Sequence, residues 1–263
     1  MATKKRIIKK KKVRAVAPAK PKKAAAAKAP TRLGRPAIAA AKKVARDTFA
    51  RLRALYPDAH CELDHGGSFQ LLVATVLSAQ TTDVLVNKVT PHLFARYPDA
   101  RTLGAAEAAD VGRLLAERGL GMYNQKAKNI VGLARLLVER HGGEVPRTLA
   151  ELVELPGVGR KTANVVLGVA FAAPEGVVVD THVQRLSQRL GWTANTEPAT
   201  IEQDLCALFP REDWDMLSHV LIFHGRRCCY AQRPACATCG ISAACPSAFK
   251  AEKIGRKPAR RRE

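Results

Sequence analysis

Four cysteines, Cys229, Cys236, Cys239 and Cys245, stand at the spacing C-x6-C-x2-C-x5-C inside a span of 17 residues. A compact set of four thiols supplies every ligand that a [4Fe-4S] cluster or a closed tetrahedral zinc site requires. Disulfides need no such compactness, and purely structural cysteines would be scattered through apolar segments. The spacing favours iron–sulfur, because zinc ribbons usually present two C-x2-C knuckles and this loop has only one, Cys236/Cys239. Spacing alone leaves zinc open. Cys61, Cys206 and Cys228 fall outside the pattern: Cys206 sits on an apolar helix and reads as core, and Cys228 reads as an extra thiol beside a ligand.

A second chemical feature is Leu155-Pro156-Gly157-Val158-Gly159-Arg160-Lys161-Thr162-Ala163, which reads helix, tight hairpin, helix. Gly157 and Gly159 let the hairpin backbone take positive φ and approach another molecule without intervening side chains. Their N–H groups and the N-terminus of the following helix form an anion site suited to a DNA phosphate. An ordinary glycine connector between two helices is the plain alternative, and the adjacent Arg160 and Lys161 tip the reading toward phosphate. Lys161 falls in the first helical turn, where the macrodipole disfavours its ammonium form and so favours a nucleophilic amine. Asp180 follows Val177-Val178-Val179 and precedes Thr181-His182. It can cap the next helix, and it is equally well placed as a general base or a stabiliser of positive charge.

The elements that must position these groups are helical almost throughout. Helices are expected at Ala37–Leu55, Phe69–Leu77, Asp83–Tyr97, Leu103–Arg118, Gln125–His141, Leu149–Leu155, Arg160–Phe171, Thr181–Leu190, Pro198–Phe209 and Asp213–Phe223. In the first, Val44, Phe49, Leu52 and Leu55 would form the apolar face. Phe69–Leu77 is apolar all round, as a buried central helix is. The only strand-like run, Val177 to Val179, is too short to build a sheet. The fold class is therefore all-α, about ten helices with the cysteine loop appended to the last. Trp192 and Trp214 read as core.

The charge is unevenly spread. The net charge is +21, yet residues 1–46 hold 17 Lys/Arg and no acid, while the remaining 217 residues carry 27 basic against 23 acidic side chains. The Lys-rich start lacks aromatics and apolar periodicity, so residues 1–36 read as a disordered basic arm that tethers polyanions; residues 250–263 form a basic C-terminal tail. With neither a membrane span nor an apolar signal region, an intracellular location is expected. That means the nucleoid region of a bacterial cytoplasm, or the nucleus of a eukaryote.

LPGVGRKTA, VVVDTH and the four-cysteine loop, in this order, together with VLSAQTTD (Val76–Asp83) and GMYNQKA (Gly121–Ala127), resemble the helix-hairpin-helix DNA glycosylases, specifically the endonuclease III family. The resemblance runs from about Ala37 to Phe249. It implies a helical barrel domain over residues 64–174 and a discontinuous cluster domain from 37–63 and 175–249, with a DNA-binding cleft between them. It implies a bifunctional N-glycosylase/AP lyase that removes oxidised pyrimidines from duplex DNA and cleaves 3′ to the abasic site by β-elimination. The family's nucleophile falls on Lys161, its catalytic aspartate on Asp180, and its [4Fe-4S] ligands on Cys229, Cys236, Cys239 and Cys245. DNA contacts fall on Gln80, Met122, Gly157, Gly159, Arg160 and His182. Gln80 would fill the hole left by the extruded nucleotide, and Met122 stands where the family commonly intercalates leucine. Arg226, Arg227 and Arg233 would make the cysteine loop a basic DNA-facing scaffold. The implied partner is double-stranded DNA carrying damaged pyrimidines or abasic sites, met by a monomer and without a membrane.

Overall fold

The computed structural model describes residues 35–255; the arm over 1–34 and the last residues of the tail, 256–263, lie outside the described residues. Among the described residues eleven α-helices follow one another: α1 Arg35–Leu55, α2 Ser68–Leu77, α3 Asp83–Arg96, α4 Ala100–Gly104, α5 Ala108–Glu117, α6 Tyr123–His141, α7 Leu149–Val153, α8 Arg160–Phe171, α9 Thr181–Arg189, α10 Pro198–Leu208 and α11 Trp214–Arg227. Among the described residues there is no strand, and no helix is long and apolar enough to cross a membrane. Val177 and Val178 are buried in an extended stretch whose Val178 N–H is taken by the Ser218 hydroxyl at 3.0 Å rather than by a neighbouring strand.

Buried apolar side chains collect into two cores. The first lies wholly within residues 63–167 and includes Leu71, Leu93, Leu115, Ile130, Leu133 and Leu167. The second joins Phe49 and Leu52 of α1 to Val183, Leu186, Leu205, Leu221 and Phe223, which come after the first core in the chain. Helix α2 is buried over Leu71–Leu77 and packs on α8, α6 and α3, as its all-round apolar sequence requires. Trp192 is buried edge-on against Phe209 at 5.0 Å, and the Trp214 indole donates to the Phe209 carbonyl at 3.0 Å. Both tryptophans are thus spent on the second core.

Three local expectations are corrected. The helix read as Leu103–Arg118 is two helices. Asp99 and Thr102 cap each other reciprocally to start α4. The chain then breaks after Gly104, where Arg135 of α6 accepts the duty of satisfying the freed carbonyls: its Nε donates to Gly104 O at 2.7 Å and its Nη2 to Ala106 O at 3.1 Å. Gly104 lets α6 approach closely, since a Cβ there would lie 3.1 Å from the Arg135 backbone nitrogen. On α1 the buried face is Ala45, Thr48, Phe49 and Leu52, whereas Val44 (60 %) and Leu55 (46 %) are exposed; the stripe follows i, i+3, i+4, i+7 from Ala45. Finally, α11 continues past Phe223 to Arg227, so the His224-Gly225-Arg226-Arg227 stretch leading into the cysteine loop is helix.

Candidate nucleic-acid interface and metal centre

Between the two cores lies a cleft of about 280 Å³ whose lining includes Gln80, Asp83, Lys161, Asp180, His219 and Arg226. Lys161 is exposed in the first turn of α8, on the wall contributed by the first core. Asp180 lines the same cleft and caps α9: its Oδ1 accepts from the N–H of His182 at 2.7 Å and of Val183 at 2.8 Å. Oδ2 has no hydrogen-bond partner among the described residues. The cap thus uses one carboxylate oxygen and leaves the other to the cleft. Lys161 and Asp180, 19 positions apart in the chain, meet across one opening.

The hairpin before Lys161 is pinned from beneath. Leu155 and Val158 are buried in the first core, and Val158 N–H closes the turn on Leu155 O at 3.1 Å. Gly157 has φ 79, and a Cβ there would come within 2.8 Å of the Asn129 side chain on α6. Any side chain there would be strained and would have to displace Asn129. Gly159 differs from expectation: its φ is −95, so it is not needed for backbone freedom. Nothing lies within 4 Å of where its Cβ would be. It is the N-cap of α8 without a side-chain cap, so the first N–H groups of α8 stay open toward the outside.

Arg160 remains about half exposed (53 %) and is at the same time engaged within the protein. Its guanidinium is held by Glu202 of α10, with Nη2 donating to Oε1 at 2.7 Å and Nε donating to Oε2 at 3.0 Å. Glu202 is a buried carboxylate, and such a group demands a partner of opposite charge. The pair ties the hairpin to the second core. Arg226 and Arg227 do not form a free basic edge. Arg226 bonds Glu62 and, at 2.8 Å, Asp83; Arg227 bonds Asp58 at 3.0 Å and lies over the Phe223 ring. Arg233 is exposed. His182 is half-buried, 3.2 Å from the Arg185 guanidinium through Nδ1, and it packs so closely on Gly225 that a Cβ there would be 2.7 Å away. Burial lowers its pKa, partly opposed by Asp180.

Gln80 and Met122 both adopt left-handed backbone, each with φ 55, and both are exposed, Met122 by 50 %. Non-glycine residues there store strain of about 1–3 kcal/mol, which persists only where the surroundings over-determine it. Lys126, four residues beyond Met122 on α6, is buried (3 % exposed), and its Nζ donates to the Thr81 hydroxyl next to Gln80. The two strained tips are thus joined by one buried lysine. Burial pushes its ammonium pKa down. Sequence reasoning passed over Lys126 and Asp83, although both lie inside the quoted GMYNQKA and VLSAQTTD stretches. Asp83 has its carboxyl pushed up by burial, then drawn down by Lys161 and raised again by Asp180, so it senses both catalytic candidates.

The four cysteines line one pocket beneath α9 and α11, with Arg189, His224 and Cys228. Arg189 is fully buried, donating to Cys229 Sγ at 3.3 Å and to the carbonyls of Tyr230, Ala231 and Ile254. Arg185 is likewise buried and donates to the carbonyls of Gly225 and Cys229. Among the described residues neither guanidinium has a carboxylate partner. Two buried positive charges beside four thiols call for an anionic centre, which a metal held by thiolates provides. The donor set fits a metal cluster. Cys228, outside the spacing, also points into this pocket and contacts Cys239.

Residues 73–211 match the model of the HhH-GPD superfamily of base excision DNA repair proteins. The chain is 51 % identical over 211 residues to endonuclease III of a Synechocystis species, covering 80 % of this chain and 95 % of that protein. It is 42 % identical over 200 residues to endonuclease III of Escherichia coli, covering 76 % and 93 %. Among solved structures, a trapped endonuclease III–DNA covalent intermediate in an estranged-adenine complex superposes with a TM-score of 0.74 at 43 % identity, covering 80 % of this chain and 97 % of that one. A thermostable thymine-DNA glycosylase shares the fold with a TM-score of 0.70 at 24 % identity.

Proposed function

The chain belongs to the HhH-GPD superfamily of base excision DNA repair proteins, and from that premise we propose that it is a bifunctional DNA N-glycosylase/AP lyase of the endonuclease III kind, acting on oxidised pyrimidines in duplex DNA. The observation that carries this reading is the placement of Lys161 and Asp180 in one cleft that Gln80 also lines, beside the open N-terminus of α8.

The chemistry follows from these groups. A damaged pyrimidine pairs and stacks poorly, so extruding it costs less than extruding an intact base. Gln80 and Met122 occupy the vacated stack, and the first N–H groups of α8, at Gly159, bind a flanking phosphate. The Lys161 amine attacks C1′ of the deoxyribose while Asp180 Oδ2 stabilises positive charge developing on the sugar. The base leaves with a proton. The Lys161–sugar adduct gives up an N–H proton and opens its C1′–O4′ bond, O4′ taking a proton, to form a Schiff base; this loses a C2′ proton, and β-elimination expels the 3′ phosphate. One chain acts per lesion.

The metal is read as a [4Fe-4S] cluster on Cys229, Cys236, Cys239 and Cys245. Thiols around a single tetrahedral zinc lie about 3.8 Å apart, given zinc–sulfur bonds of about 2.3 Å. No three of these four thiols fall within 4.8 Å of one another, which supports a wider group. Such a cluster is a structural tie for the loop: every step above is carried by Lys161, Asp180 and the DNA-facing residues. Purified protein is expected to hold about four iron and to absorb broadly near 400 nm. A colourless, fully active protein with one zinc would overturn this assignment.

A duplex bearing one oxidised pyrimidine tests the reaction itself, with free base and cleaved strand measured separately. Wild type should give both products. Lys126→Met, which removes the tether between the Gln80 and Met122 tips, should slow base release roughly 10- to 100-fold through misplacement of the wedge. Cleavage at a preformed abasic site should change little, because no base has to be extruded. Equal losses in both steps would make Lys126 a general stability residue.

A further inference from the structure

The same pocket contains a second set of ligands that cannot be used together with the four-cysteine set. His224, Cys228 and Cys239 bring one ligand atom each to within 4.8 Å of one another, and His224 Nε2 is 3.8 Å from Cys239 Sγ. Tetrahedral zinc with one imidazole and two thiolates needs ligand atoms about 3.6–3.8 Å apart, which the His224–Cys239 pair meets and which Cys228, within 4.8 Å of both, reaches by a small side-chain movement. Its outer contacts are also in place. His224 is buried, and its Nδ1 lies 2.9 Å from the Tyr56 hydroxyl on α1. That contact fixes the ring and leaves Nε2 to face the two thiols, the arrangement that metal-binding histidines use. The residues come from two parts of the chain: His224 and Cys228 stand one helical turn apart at the end of α11, while Cys239 returns from the loop.

We propose that His224, Cys228 and Cys239 form a site for a single thiophilic divalent cation, zinc above all, with a fourth position open to water or another thiol. Cys239 is shared with the four-cysteine set, so ion and cluster exclude each other in one chain. A chain that acquires zinc first is therefore blocked for cluster assembly at one of its four ligands. The site goes beyond the repair reaction, and it stands or falls independently of Lys161 and Asp180.

The test uses the full-length chain produced with iron limiting and Co²⁺ supplied, then with Zn²⁺, each against an iron-replete preparation. Wild type should retain one cobalt per chain with the intense visible bands of tetrahedral sulfur–nitrogen coordination. Cys228→Ser should keep the iron and sulfide of the iron-replete protein but lose cobalt and zinc affinity by at least about tenfold, the scale on which even outer contacts of a metal site act. Cys245→Ser, which removes a ligand from the four-cysteine set alone, should lose iron and still hold one cobalt. The proposal is overturned if Cys228→Ser binds cobalt as wild type does with an unchanged spectrum. It is also overturned if soluble Cys245→Ser holds no cobalt. Should Cys245→Ser be insoluble, the comparison of wild type with Cys228→Ser decides. Iron in the replete wild type reports on the cluster assignment separately, so either reading can fail alone.

Discussion

Lys161→Ala is expected to abolish covalent capture of the protein on lesion-bearing duplex under borohydride, and to lower base release and strand cleavage by on the order of 10⁴-fold or more, the scale of losing a nucleophile. The amine sits exposed in the cleft at the first turn of α8, and removing it disturbs no buried contact. Melting temperature should therefore stay at the wild-type value. Binding to lesion duplex should also be largely kept, because one lysine is a small part of an interface held by many phosphate contacts. Lys161→Arg keeps the positive charge without a usable nucleophile, so it too should fail to trap. If Lys161→Ala still gives a borohydride adduct at the wild-type yield, another amine is the nucleophile and the assignment is wrong.

Asp180→Asn comes next in size. A carboxylate that aids proton transfer or steadies a developing cation is worth roughly 10²- to 10⁴-fold in turnover. The structure makes this substitution a clean probe. Asn Oδ1 can keep accepting from the N–H groups of His182 and Val183, so the cap on α9 survives while the charge on the cleft side is lost. Asp180→Ala should lose the activity and also about 1 kcal/mol of stability, because it removes the cap as well. The contrast separates the two duties of one side chain. Wild-type rates in Asp180→Asn together with a destabilised Asp180→Ala would reduce the residue to a cap.

The arginines around the cleft show why local sequence reading reaches only so far. Arg160 looked like a phosphate contact because it follows a glycine hairpin. The structure gives it a further duty as the counter-charge for Glu202, 42 positions on, which is buried and would otherwise be unpaired. Arg226 and Arg227 looked like a basic loop because they precede the cysteines. They are helical residues neutralised by Glu62, Asp83 and Asp58, acids more than 140 positions earlier. In each case the deciding partner is distant in the chain, so no window of sequence contains it. The break between α4 and α5 has the same origin: Arg135 of α6 satisfies the carbonyls that a continuous helix would have used internally.

What the sequence determined by itself rests on chemistry that is local. Four thiols within 17 residues announce a metal whatever the surrounding fold. Two glycines before a helix define a tight hairpin, and an aspartate before a helix defines a cap. Apolar periodicity gives helices and excludes a sheet. Only the tertiary structure decided which of these groups meet and which are already occupied. It set Lys161 and Asp180 across one opening, and strained Gln80 and Met122 into exposed tips joined through buried Lys126. It also left Arg189 and Arg185 buried beside the thiols without a carboxylate, and turned Cys228 into the metal pocket. The physical reason is the same throughout. Burial prices every charge according to its partners, and those partners are brought together by packing two cores whose members are far apart in the chain.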